Sequence, residues 1–351
     1  MTEGRPRVLQ VGPDVPGGMR TSMQALYASP LERDFELDVV TTHRGSGAAQ
    51  RLLVYVRALA AIAAWSLRGR GRIVHVHSTV RGSMYRKAGC VLLAKLLRRR
   101  VVFHLHSGPG DIETFRSGLG GLSLAYLRAG FRAADVVLAV SDASARQLGL
   151  AFGAEEIAVV PNAVPGVSGE RRREPGEGPP LAVYLGGFAN PVKGGEVLLE
   201  ALQGPAVGSL RFVLAGPGES PWGAGDPPAA APISWRGWLE GDEKEELLRE
   251  ADVFVLASTS EGLPMVLLEA MSHGLAIVAT AVGGVPDVVS DRAEALVVEP
   301  GDPEALAAAL GELGSDPELR LSLGAAALRR SAEFSPEAVA ARLERIYREL
   351  L

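Results

Sequence analysis

Short apolar runs recur along the chain and alternate with longer amphipathic stretches. A short apolar run bounded by turn residues is typical of a strand buried in a parallel sheet, and the stretches between such runs are long enough for helices. The pattern predicts two strand-and-helix series of about six strands each, at Arg7–Val11, Glu36–Thr41, Ile73–Val76, Val101–Leu105, Val136–Val140 and Ile157–Val160, and at Leu181–Gly186, Leu210–Ala215, Ile233–Trp235, Asp252–Ala257, Leu275–Thr280 and Glu294–Glu299.

Residues 165–180, PGVSGERRREPGEGPP, interrupt this alternation. Their proline, glycine and charge content is typical of a linker between domains. A chain of 351 residues is also too long for one compact core. We therefore predict a first domain over 1–164 and a second over 181–332. A capped amphipathic helix is expected within 333–351, after the sequence Phe334-Ser335-Pro336-Glu337.

The stretch Asp252–Val289 carries the candidate chemistry. After its first strand, the pattern predicts a polar loop and then a helix over Met265–Ser272, with Pro264 as the first helical residue and Gly274 as a left-handed cap. This helix is apolar on nearly every side and yet contains Glu269. A buried carboxylate is costly unless something hydrogen-bonds it.

A ligand would explain Glu269. The free N–H groups at the helix start, near Leu263, Pro264, Met265 and Val266, form an anion site that suits phosphate. Glu269 lies about 7–8 Å further along the helix, where it could bind a ribose diol. Glu261, in the preceding loop, would then face whatever lies beyond the phosphates, and the spacing fits a nucleotide-sugar. The alternative is a salt-bridged core Glu269 and a solvated Glu261.

Composition and charge narrow the class of protein. A hydrophobic content of 47% and a charged content of 22% are ordinary for a soluble globular protein. The single cysteine, Cys90, excludes an internal disulfide and is expected to fill the core. The sequence passes from MTEGRPR directly into a strand without a secretory segment, so we expect a cytoplasmic location.

The net charge of −5 is unevenly distributed. Residues 1–170 have a balance of +8 and the remainder −13, which suggests an anionic partner for the first half. Residues 51–72, RLLVYVRALAAIAAWSLRGRGR, are predicted to form a helix, either at a membrane surface or packed in the core. Its apolar run is interrupted by Arg57 and is too short to span a bilayer. No nucleic-acid motif accompanies the basic residues.

Two buried strands each lead into a His-x-His pair, His75-Val-His77 and His104-Leu-His106. Strand alternation places the members of each pair on one face. Four such histidines could bind zinc, but no partner carboxylate stands at a recognisable spacing, and the chain has no Asp-x-Asp for a divalent cation. We therefore expect no metal. His106 is best placed for a ligand, because ligands gather at the carboxyl ends of parallel strands.

The pattern Ser258-x-x-Glu261-Gly262-x-x-x-x-x-x-Glu269-Ala270-Met271-x-x-Gly274 closely resembles the two-glutamate motif of retaining, GT-B-fold glycosyltransferases of family 4. The resemblance extends over nearly all of the chain. It implies an α/β GT-B fold, with two Rossmann-like domains facing a cleft and a C-terminal helix crossing back to the N-terminal domain. The N-terminal domain would take the acceptor and the C-terminal domain the nucleotide-sugar.

The resemblance also implies roles for individual residues. Gly17 and Gly18 match a loop beside the donor diphosphate, although a plain tight turn is the alternative. Lys193 matches a lysine that clamps the donor phosphates, with a solvated lysine as the alternative. Gly187 stands where the family has an arginine, which is the main departure from the pattern. Trp238 is a candidate for the nucleobase contact or a rim residue over the core. The remaining donor-site matches are Gly262, Leu263, Pro264, Met265, Val266 and Glu269, with His106 and Glu261 at the reaction centre.

The implied function is transfer of a sugar, with retention, from a UDP- or GDP-linked donor to a saccharide or lipid-linked acceptor. No metal and no other cofactor is expected. We also expect the product to be a cell-surface glycan or glycolipid. Peripheral contact with an anionic membrane at its inner face is expected, and a nucleic-acid partner is not. Two alternatives remain open: a non-catalytic nucleotide-sugar-binding partner of a transferase complex, suggested by Gly187, and a nucleotide-sugar epimerase.

Overall fold

Each predicted apolar run forms a strand, and the strands divide between two parallel sheets. The computed structural model describes residues 5–14, 18–43, 47–68, 71–154, 156–165, 178–223, 225 and 230–351. Two compact units divide the chain, one over 1–165 with 334–351 and the other over 166–333. The greater part of the predicted linker, residues 166–177, lies outside the described residues.

The sheet of the first unit has the order β2-β1-β3-β4-β5-β6, with all neighbours parallel. From β1 the chain moves to one side, to β2, and then returns to the other side, to β3. The point between β1 and β3 is therefore a topological switch point, where open α/β sheets bind ligands at the carboxyl ends of their strands. The strands are β1 Arg7–Gly12, β2 Glu36–Thr41, β3 Gly71–Ser78, β4 Arg100–Leu105, β5 Val136–Ala139 and β6 Ile157–Val159.

Helices cover both faces of this sheet, because alternate strand residues point to opposite sides. Leu9, Val74 and Phe103 belong to the core on one face, whereas Val8 and Ile73 belong to the core on the other. The helices that connect the strands are α1 Gly18–Tyr27, α2 Leu31–Asp34, α3 Ala48–Leu67, α4 Gly82–Leu96, α5 Pro109–Ser117, α6 Gly121–Ala133 and α7 Asp142–Phe152.

The sheet of the second unit has the order β12-β11-β10-β7-β8-β9. This is the strand order of the Rossmann fold, with its switch point between β7 and β10. Short 3₁₀ turns occupy Pro191–Lys193, Pro205–Ser209 and Ala332–Phe334. The strands are β7 Leu181–Tyr184, β8 Arg211–Leu214, β9 Ile233–Trp235, β10 Val253–Leu256, β11 Ala276–Thr280 and β12 Leu296–Val298, and the helices are α8 Gly195–Ala201, α9 Asp242–Glu250, α10 Met265–Ser272, α11 Pro303–Ser315 and α12 Pro317–Ser331.

The last helix, α13 Pro336–Glu349, packs on the sheet of the first unit and not on the second. Ser335 caps it, since its side chain accepts a hydrogen bond from the Ala338 N–H at 3.2 Å. Its apolar face carries Leu343 and Tyr347, both fully buried in the core that contains Val8. The predicted return of the C-terminal helix to the first unit is thus confirmed.

Two local predictions were wrong. The helix predicted over 51–72 ends at Leu67, and Gly71 and Arg72 belong to β3. Gly71 pairs with Arg7 in the sheet, and glycine is among the least favourable residues for a helix interior. Pro264 precedes α10 and is not its first residue, because its ψ of 119° is extended. Its carbonyl oxygen accepts the first helical N–H groups, from Leu267 and Leu268.

Helix α3 packs one face on the sheet and presents another to solvent. Ala58, Ile62 and Trp65 are buried, and the Trp65 indole N–H donates to Asp38 Oδ2 at 2.7 Å. Among the described residues, α3 has a length and hydropathy that would suffice to cross a membrane, so the expectation that its apolar run is too short was wrong by these two measures. The alternative of core packing is therefore confirmed for the inner face of α3.

Candidate active site

His106 lies directly after β4 and is held at both ring nitrogens. Its Nδ1 lies 2.8 Å from Asn162 Oδ1, and its Nε2 lies 3.0 Å from His77 Nδ1. Asn162 follows β6, so residues that come after two strands of the same sheet position this ring. A hydrogen bond from His106 to a substrate therefore requires one of the two partners to be exchanged.

The hydrogen bonds continue from His106 into the core. His77 Nε2 lies 2.9 Å from Gln10 Oε1, and Gln10 Nε2 donates to Tyr347 Oη at 3.0 Å. Tyr347 Oη in turn lies 2.5 Å from His75 Nδ1. A neutral imidazole donates from one nitrogen and accepts at the other, so His77 and His106 are both neutral only if the amide of Gln10 or of Asn162 turns its N–H to the ring, and the orientation of that amide sets both tautomers. Helix α13 thus contributes to the environment of His106.

Burial keeps these histidines neutral. It lowers the pKa of His75 to about 3 and that of His106 to about 4, because imidazolium loses its hydration inside the protein. The same cause holds the pKa of His77 and of His104 well below the ordinary value. At neutral pH the cluster is therefore a network of neutral rings and not a source of positive charge.

The histidine cluster also resembles a metal site in composition. His75, His77 and His104 each bring a ring nitrogen within 4.8 Å of the others. However, the His75 and His104 rings are stacked at 11° with centroids 5.5 Å apart. Lone pairs of imidazole lie in the ring plane, so two nearly parallel rings do not direct them at one ion. The arrangement fits the hydrogen-bond network better than a zinc site.

In the second unit, Glu269 is buried on α10 with one oxygen paired and one not. Lys244, from α9, donates to Glu269 Oε1 at 2.7 Å. The buried Oε2 accepts no hydrogen bond from the described residues. Burial raises the pKa of the Glu269 carboxyl, and the Lys244 ammonium offsets part of that rise. A buried acceptor without a donor is costly, and a ligand hydroxyl would satisfy it.

Glu261 is bound to the lysine that was expected to hold the donor phosphates. Lys193 Nζ lies 2.8 Å from Glu261 Oε1, and Ser258 donates to the same oxygen at 2.6 Å. The Tyr184 hydroxyl lies 3.0 Å from both the Gly187 and the Lys193 carbonyl oxygens, so it connects the loop after β7 to its strand. The loops after β7 and β10 therefore meet at the switch point of this sheet.

Gly187 occupies a position that accepts no side chain without rearrangement. Its φ of +67° is left-handed, and a Cβ built there would lie 2.7 Å from the Pro217 carbonyl oxygen and 2.8 Å from the Pro217 nitrogen. A Cβ atom, which cannot hydrogen-bond, does not approach non-bonded heavy atoms so closely. Glycine at this position therefore allows the backbone of two loops to come into contact.

Comparison with known families identifies the chain. A model described as Glycosyltransferase Family 4 matches residues 16–165, and one described as Glycosyl transferases group 1 matches residues 179–316. Together they cover most of both units. The chain belongs to glycosyltransferase family 4.

Individual relatives are similar over shorter stretches. Sulfoquinovosyl transferase SQD2 of Arabidopsis thaliana is 39% identical over 106 residues, which are 29% of this chain and 21% of that protein. D-inositol 3-phosphate glycosyltransferase of Corynebacterium urealyticum is 36% identical over 109 residues, 31% of this chain and 26% of that protein. The chain thus spans about a quarter of the length of these curated relatives.

The fold is shared with solved structures over the full length. Anabaena Alr3699/HepE, in complex with UDP and glucose, matches with a TM-score of 0.71 at 16% identity, covering 98% of this chain and 100% of that one. The two six-stranded parallel sheets are therefore those of the GT-B fold, as the resemblance implied. At this identity the likeness concerns the fold alone.

The other predicted donor residues of this family 4 chain lie in both units. Gly18 begins α1 in the first unit, whereas Gly17 lies outside the described residues. In the second unit, Leu263 and Met265 are buried beside α10, and the Gly262 carbonyl oxygen accepts from Gly284 at 2.9 Å. Met265 and Val266 open the helix, where N–H groups precede the first intrahelical bond.

Trp238 is 56% exposed, and its indole N–H donates to Glu240 Oε2 at 3.3 Å. The ring is therefore not buried over the core. The preceding residue, Gly237, accepts a hydrogen bond from the Gly216 N–H at 2.8 Å. This joins the Trp238 loop to the Gly216-Pro217 loop that contacts Gly187. The exposed face of the indole is available for stacking.

Sequence reasoning missed five polar partners in the chain. The composition of helix Asp242–Glu250 suits a solvated face, but its Lys244 reaches the buried Glu269. The charge pattern of α9 alone does not indicate this contact, because it joins two helices through residues that are 25 positions apart. The other missed partners are Ser258 at Glu261, Asn162 at His106, and Gln10 with Tyr347. Ser258 left a signal in the sequence, since it stands in the two-glutamate motif.

Proposed function

We propose that this family 4 protein transfers a sugar from a UDP- or GDP-linked donor to a saccharide or lipid-linked acceptor, with retention at the anomeric carbon and without a metal ion. In the reaction the bond from the anomeric carbon to the diphosphate breaks and a bond to an acceptor oxygen forms. The acceptor hydroxyl proton leaves, and the diphosphate takes up the released charge. The product is a glycan or glycolipid, made on the cytoplasmic side.

The observation that supports this proposal most strongly is the unpaired, buried Oε2 of Glu269. A ribose hydroxyl donating to it would complete the hydrogen bonding of a carboxylate that Lys244 already holds in place. A diphosphate at the start of α10 would face the N–H groups of Met265 and Val266. Both features lie at the switch point side of the second sheet, where Rossmann-type sheets bind nucleotides.

Glu261 and Lys193 act together in this proposal. The ammonium of Lys193 neutralises charge that develops on the leaving diphosphate, and Glu261 accepts hydrogen bonds from hydroxyls of the donor sugar. Because the two side chains are paired without a donor, binding exchanges part of that ion pair for contacts with the substrate. We also propose that the neutral His106 ring contacts the transferred sugar, giving up one of its two present partners.

The experiment combines donor binding with turnover. UDP-, GDP- and ADP-sugars are screened by thermal shift, because a ligand that binds the native state alone raises the melting temperature. The best donor is then assayed for transfer and hydrolysis with wild type, Glu269→Gln and Glu261→Gln. We expect Glu269→Gln to weaken donor binding by about tenfold to a hundredfold, the value of a hydrogen bond to a charged group. Unchanged binding and turnover in both variants would contradict the proposal.

Gly187 favours a second candidate, a nucleotide-sugar-binding partner without activity of its own. The family arginine is a bidentate phosphate donor, and its loss removes transition-state stabilisation. The close contact with Pro217 leaves no room to regain it by one substitution. Saturable donor binding without transfer, hydrolysis or epimer formation, across saccharide and lipid-linked acceptors, would support this candidate over the enzyme.

The outer face of α3 supports peripheral contact with an anionic membrane at the cytoplasmic face. Leu52, Val56 and Leu67 are 63%, 53% and 76% exposed, at helical spacing. Exposed arginines, Arg51 and Arg57, accompany them. An apolar stripe flanked by cations is the pattern of helices that lie in the lipid headgroup region. A lipid-linked acceptor would be reached from such a position.

Liposome co-sedimentation tests the membrane contact. We expect binding to rise with the anionic lipid fraction and to fall when Leu52→Glu and Val56→Glu are combined. Leu321→Glu, at a leucine that is 49% exposed on α12 in the other unit, is the matched control and should bind as wild type does. If the sedimented fraction changed neither with lipid charge nor with the α3 substitutions, the result would count against this contact.

A further inference from the structure

A pocket of about 440 Å³ opens in the first unit, beside the carboxyl ends of β1, β2 and β3. Pro13, Thr42 and Thr79, which closely follow these three strands, line it. It lies at the switch point between β1 and β3, the place where open α/β sheets bind ligands. Its volume falls within the range of small-molecule sites, so it can hold more than a single ion.

Basic side chains dominate the lining of this pocket. Four arginines and one histidine contribute, namely Arg20, Arg51, Arg81, Arg86 and His43. No acidic residue is among the described lining residues, and Asp14 at the edge lies 3.6 Å from Arg20. The neighbouring sequence adds to the imbalance, since residues 51–100 contain twelve Lys or Arg and no Asp or Glu. The pocket is therefore strongly cationic.

Two of these basic groups have buried nitrogens that nothing satisfies. Arg86 Nε and His43 Nδ1 are buried and have no hydrogen-bond partner among the described residues. Buried polar atoms are normally paired, and an unpaired one calls for an explanation such as a missing ion. An anion in the pocket would remove the like-charge repulsion and could satisfy exposed donors of the same side chains.

The electrostatics agree with this geometry. Burial and then the Arg51 guanidinium lower the pKa of Arg86, and burial and then Arg86 lower the pKa of His43. Beneath the pocket, burial lowers the pKa of Lys87 to about 7, and its ammonium hydrogen-bonds Thr42 and the Val11 carbonyl. In each case burial is the first cause and a neighbouring basic group adds to it, and no carboxylate offsets the shift.

We infer that this pocket binds a phosphate group carried by the acceptor, which would make the acceptor a phosphorylated sugar, cyclitol or lipid headgroup. The inference rests on the proposed transfer reaction and narrows its acceptor class. Guanidinium forks match phosphate oxygens bidentately, so several arginines around one cavity favour phosphate over a neutral saccharide. The remaining volume accommodates the group that bears the phosphate.

The donor diphosphate is the other possible source of phosphate, because Gly18 also lines the pocket. The two sources differ in what else they need. A donor requires Glu269 in the second unit for its ribose under the proposed function, whereas a phosphorylated acceptor does not. Variants of the two units therefore separate them.

The test uses the full chain and three probes: inorganic phosphate, glucose 6-phosphate and glucose, with sodium chloride at matched ionic strength. Binding is measured by thermal shift and calorimetry for wild type, Arg51→Gln and Arg86→Gln. Arg57→Gln, an exposed arginine on the same helix as Arg51 and outside the pocket lining, is the matched control. UDP is measured in parallel with every variant.

We expect glucose 6-phosphate to bind and glucose not to bind, and each pocket variant to raise the Kd of the phosphorylated probe by about tenfold or more. Arg57→Gln should leave that Kd unchanged, and UDP binding should survive in the pocket variants. Ligand-free Arg86→Gln should melt no lower than wild type, because it loses a like-charge repulsion. If Arg86→Gln does melt lower, the Kd of the phosphorylated probe for Arg51→Gln, at an exposed residue, still tests the inference.

Three outcomes would overturn the inference. The first is equal binding of glucose and glucose 6-phosphate, or no binding of either. The second is loss of UDP binding in the pocket variants, which would show that the pocket binds the donor diphosphate. The third is an equal effect of Arg57→Gln, which would reduce the site to general surface charge. Failure of the proposed function is distinguishable, because it would abolish nucleotide-sugar turnover while phosphate binding in the first unit persisted.

Discussion

Lys193 Nζ lies 2.8 Å from Glu261 Oε1, and this ion pair joins two residues that are 68 positions apart in the chain. Glu261 is buried and Lys193 is about one-third exposed. The pair therefore holds the loop after β7 against the loop after β10. The ammonium and the carboxylate are thus already held in place before a donor binds. The pair is therefore preorganised to exchange its contact for contacts with substrate groups.

Replacing Glu261 by Gln should reduce turnover far more than stability. The amide keeps the shape and the hydrogen bond from Ser258 but no longer neutralises Lys193 or accepts from sugar hydroxyls as a charged group. We expect kcat to fall by about a hundredfold to a thousandfold, the range for loss of one electrostatic contact in a transition state. Initial rates at saturating donor, with thermal melting of the same samples, provide the measurement.

Ser258→Ala is the companion variant. It removes the 2.6 Å hydrogen bond to Glu261 and leaves the ion pair in place. Its loss in kcat should be smaller than that of Glu261→Gln. If the serine variant were the more damaged of the two, Glu261 would act through its position in the loop and not through its charge.

Glu269→Gln should stabilise the ligand-free protein increasingly as pH rises. Burial raises the pKa of this carboxyl above its ordinary value of 4.5, so the native state binds the proton more tightly than the unfolded state does. The stabilising contribution of Glu269 is present below 4.5 and is lost as pH rises through the raised native value. The amide does not titrate. The melting temperature of the variant minus that of wild type should therefore become more positive from about pH 4 to about pH 8.

Glu243→Gln, at an exposed residue beside Lys244 on α9, is the control. Its difference in melting temperature from wild type should show little trend across the same range. A trend for Glu269→Gln in the opposite direction would mean that Lys244 outweighs burial and stabilises the ionised carboxylate. Donor binding should still be weakened, because the ribose contact needs the carboxylate.

The strands could be predicted from the sequence because each is a local pattern. Apolar runs such as Val101–Leu105 and Leu275–Thr280 indicate burial on both faces, and the structure has a strand at each, Arg100–Leu105 and Ala276–Thr280. The burial of Glu269 was also predictable, since α10 is apolar on nearly every side. These properties depend on neighbours within one element.

The polar partners could not be predicted because they depend on distant residues. Tyr347 lies 272 positions from His75, and nothing in either segment specifies the other. Lys244 stands in a helix whose composition suits a solvated face, and it is the packing of α9 near α10 that turns it inward. Gly187 was visible as a departure from the family pattern, but its contact with Pro217 is a contact between loops from two different strands.

Gly187→Ala should be costly, and Gly187→Arg should not restore a phosphate contact. The left-handed φ alone costs a non-glycine residue about 1–2 kcal/mol, and the overlap with Pro217 adds the cost of moving a loop. Gly237→Ala is a matched control, because Gly237 has a φ of +66° with no atom within 4 Å of the added Cβ. The difference between the two free energies of unfolding, from denaturant titration, isolates the overlap. Equal losses in the free energy of unfolding would show that the loop containing Pro217 moves aside at no cost.

Tyr347→Phe should destabilise the protein and disturb His106 from a distance. It removes the hydroxyl that accepts from Gln10 and bonds His75, which leaves two buried polar groups without a partner at a cost of about 1–3 kcal/mol. With Tyr347 gone, Gln10 is free to change its orientation, and the tautomer of His77 and then of His106 follows. Nitrogen-15 chemical shifts of the His106 ring report that change directly.

Tyr27→Phe gives the matched comparison in the same unit. The Tyr27 hydroxyl is buried on α1 and has no hydrogen-bond partner among the described residues. Its removal should be neutral or stabilising, because a buried hydroxyl without a partner costs free energy in the native state. If Tyr347→Phe were as harmless as Tyr27→Phe and left the His106 ring signals in place, α13 would pack on the sheet without influencing His106. A loss of stability with changed His106 signals in Tyr347→Phe, and neither change in Tyr27→Phe, would show that the C-terminal helix positions the histidine network.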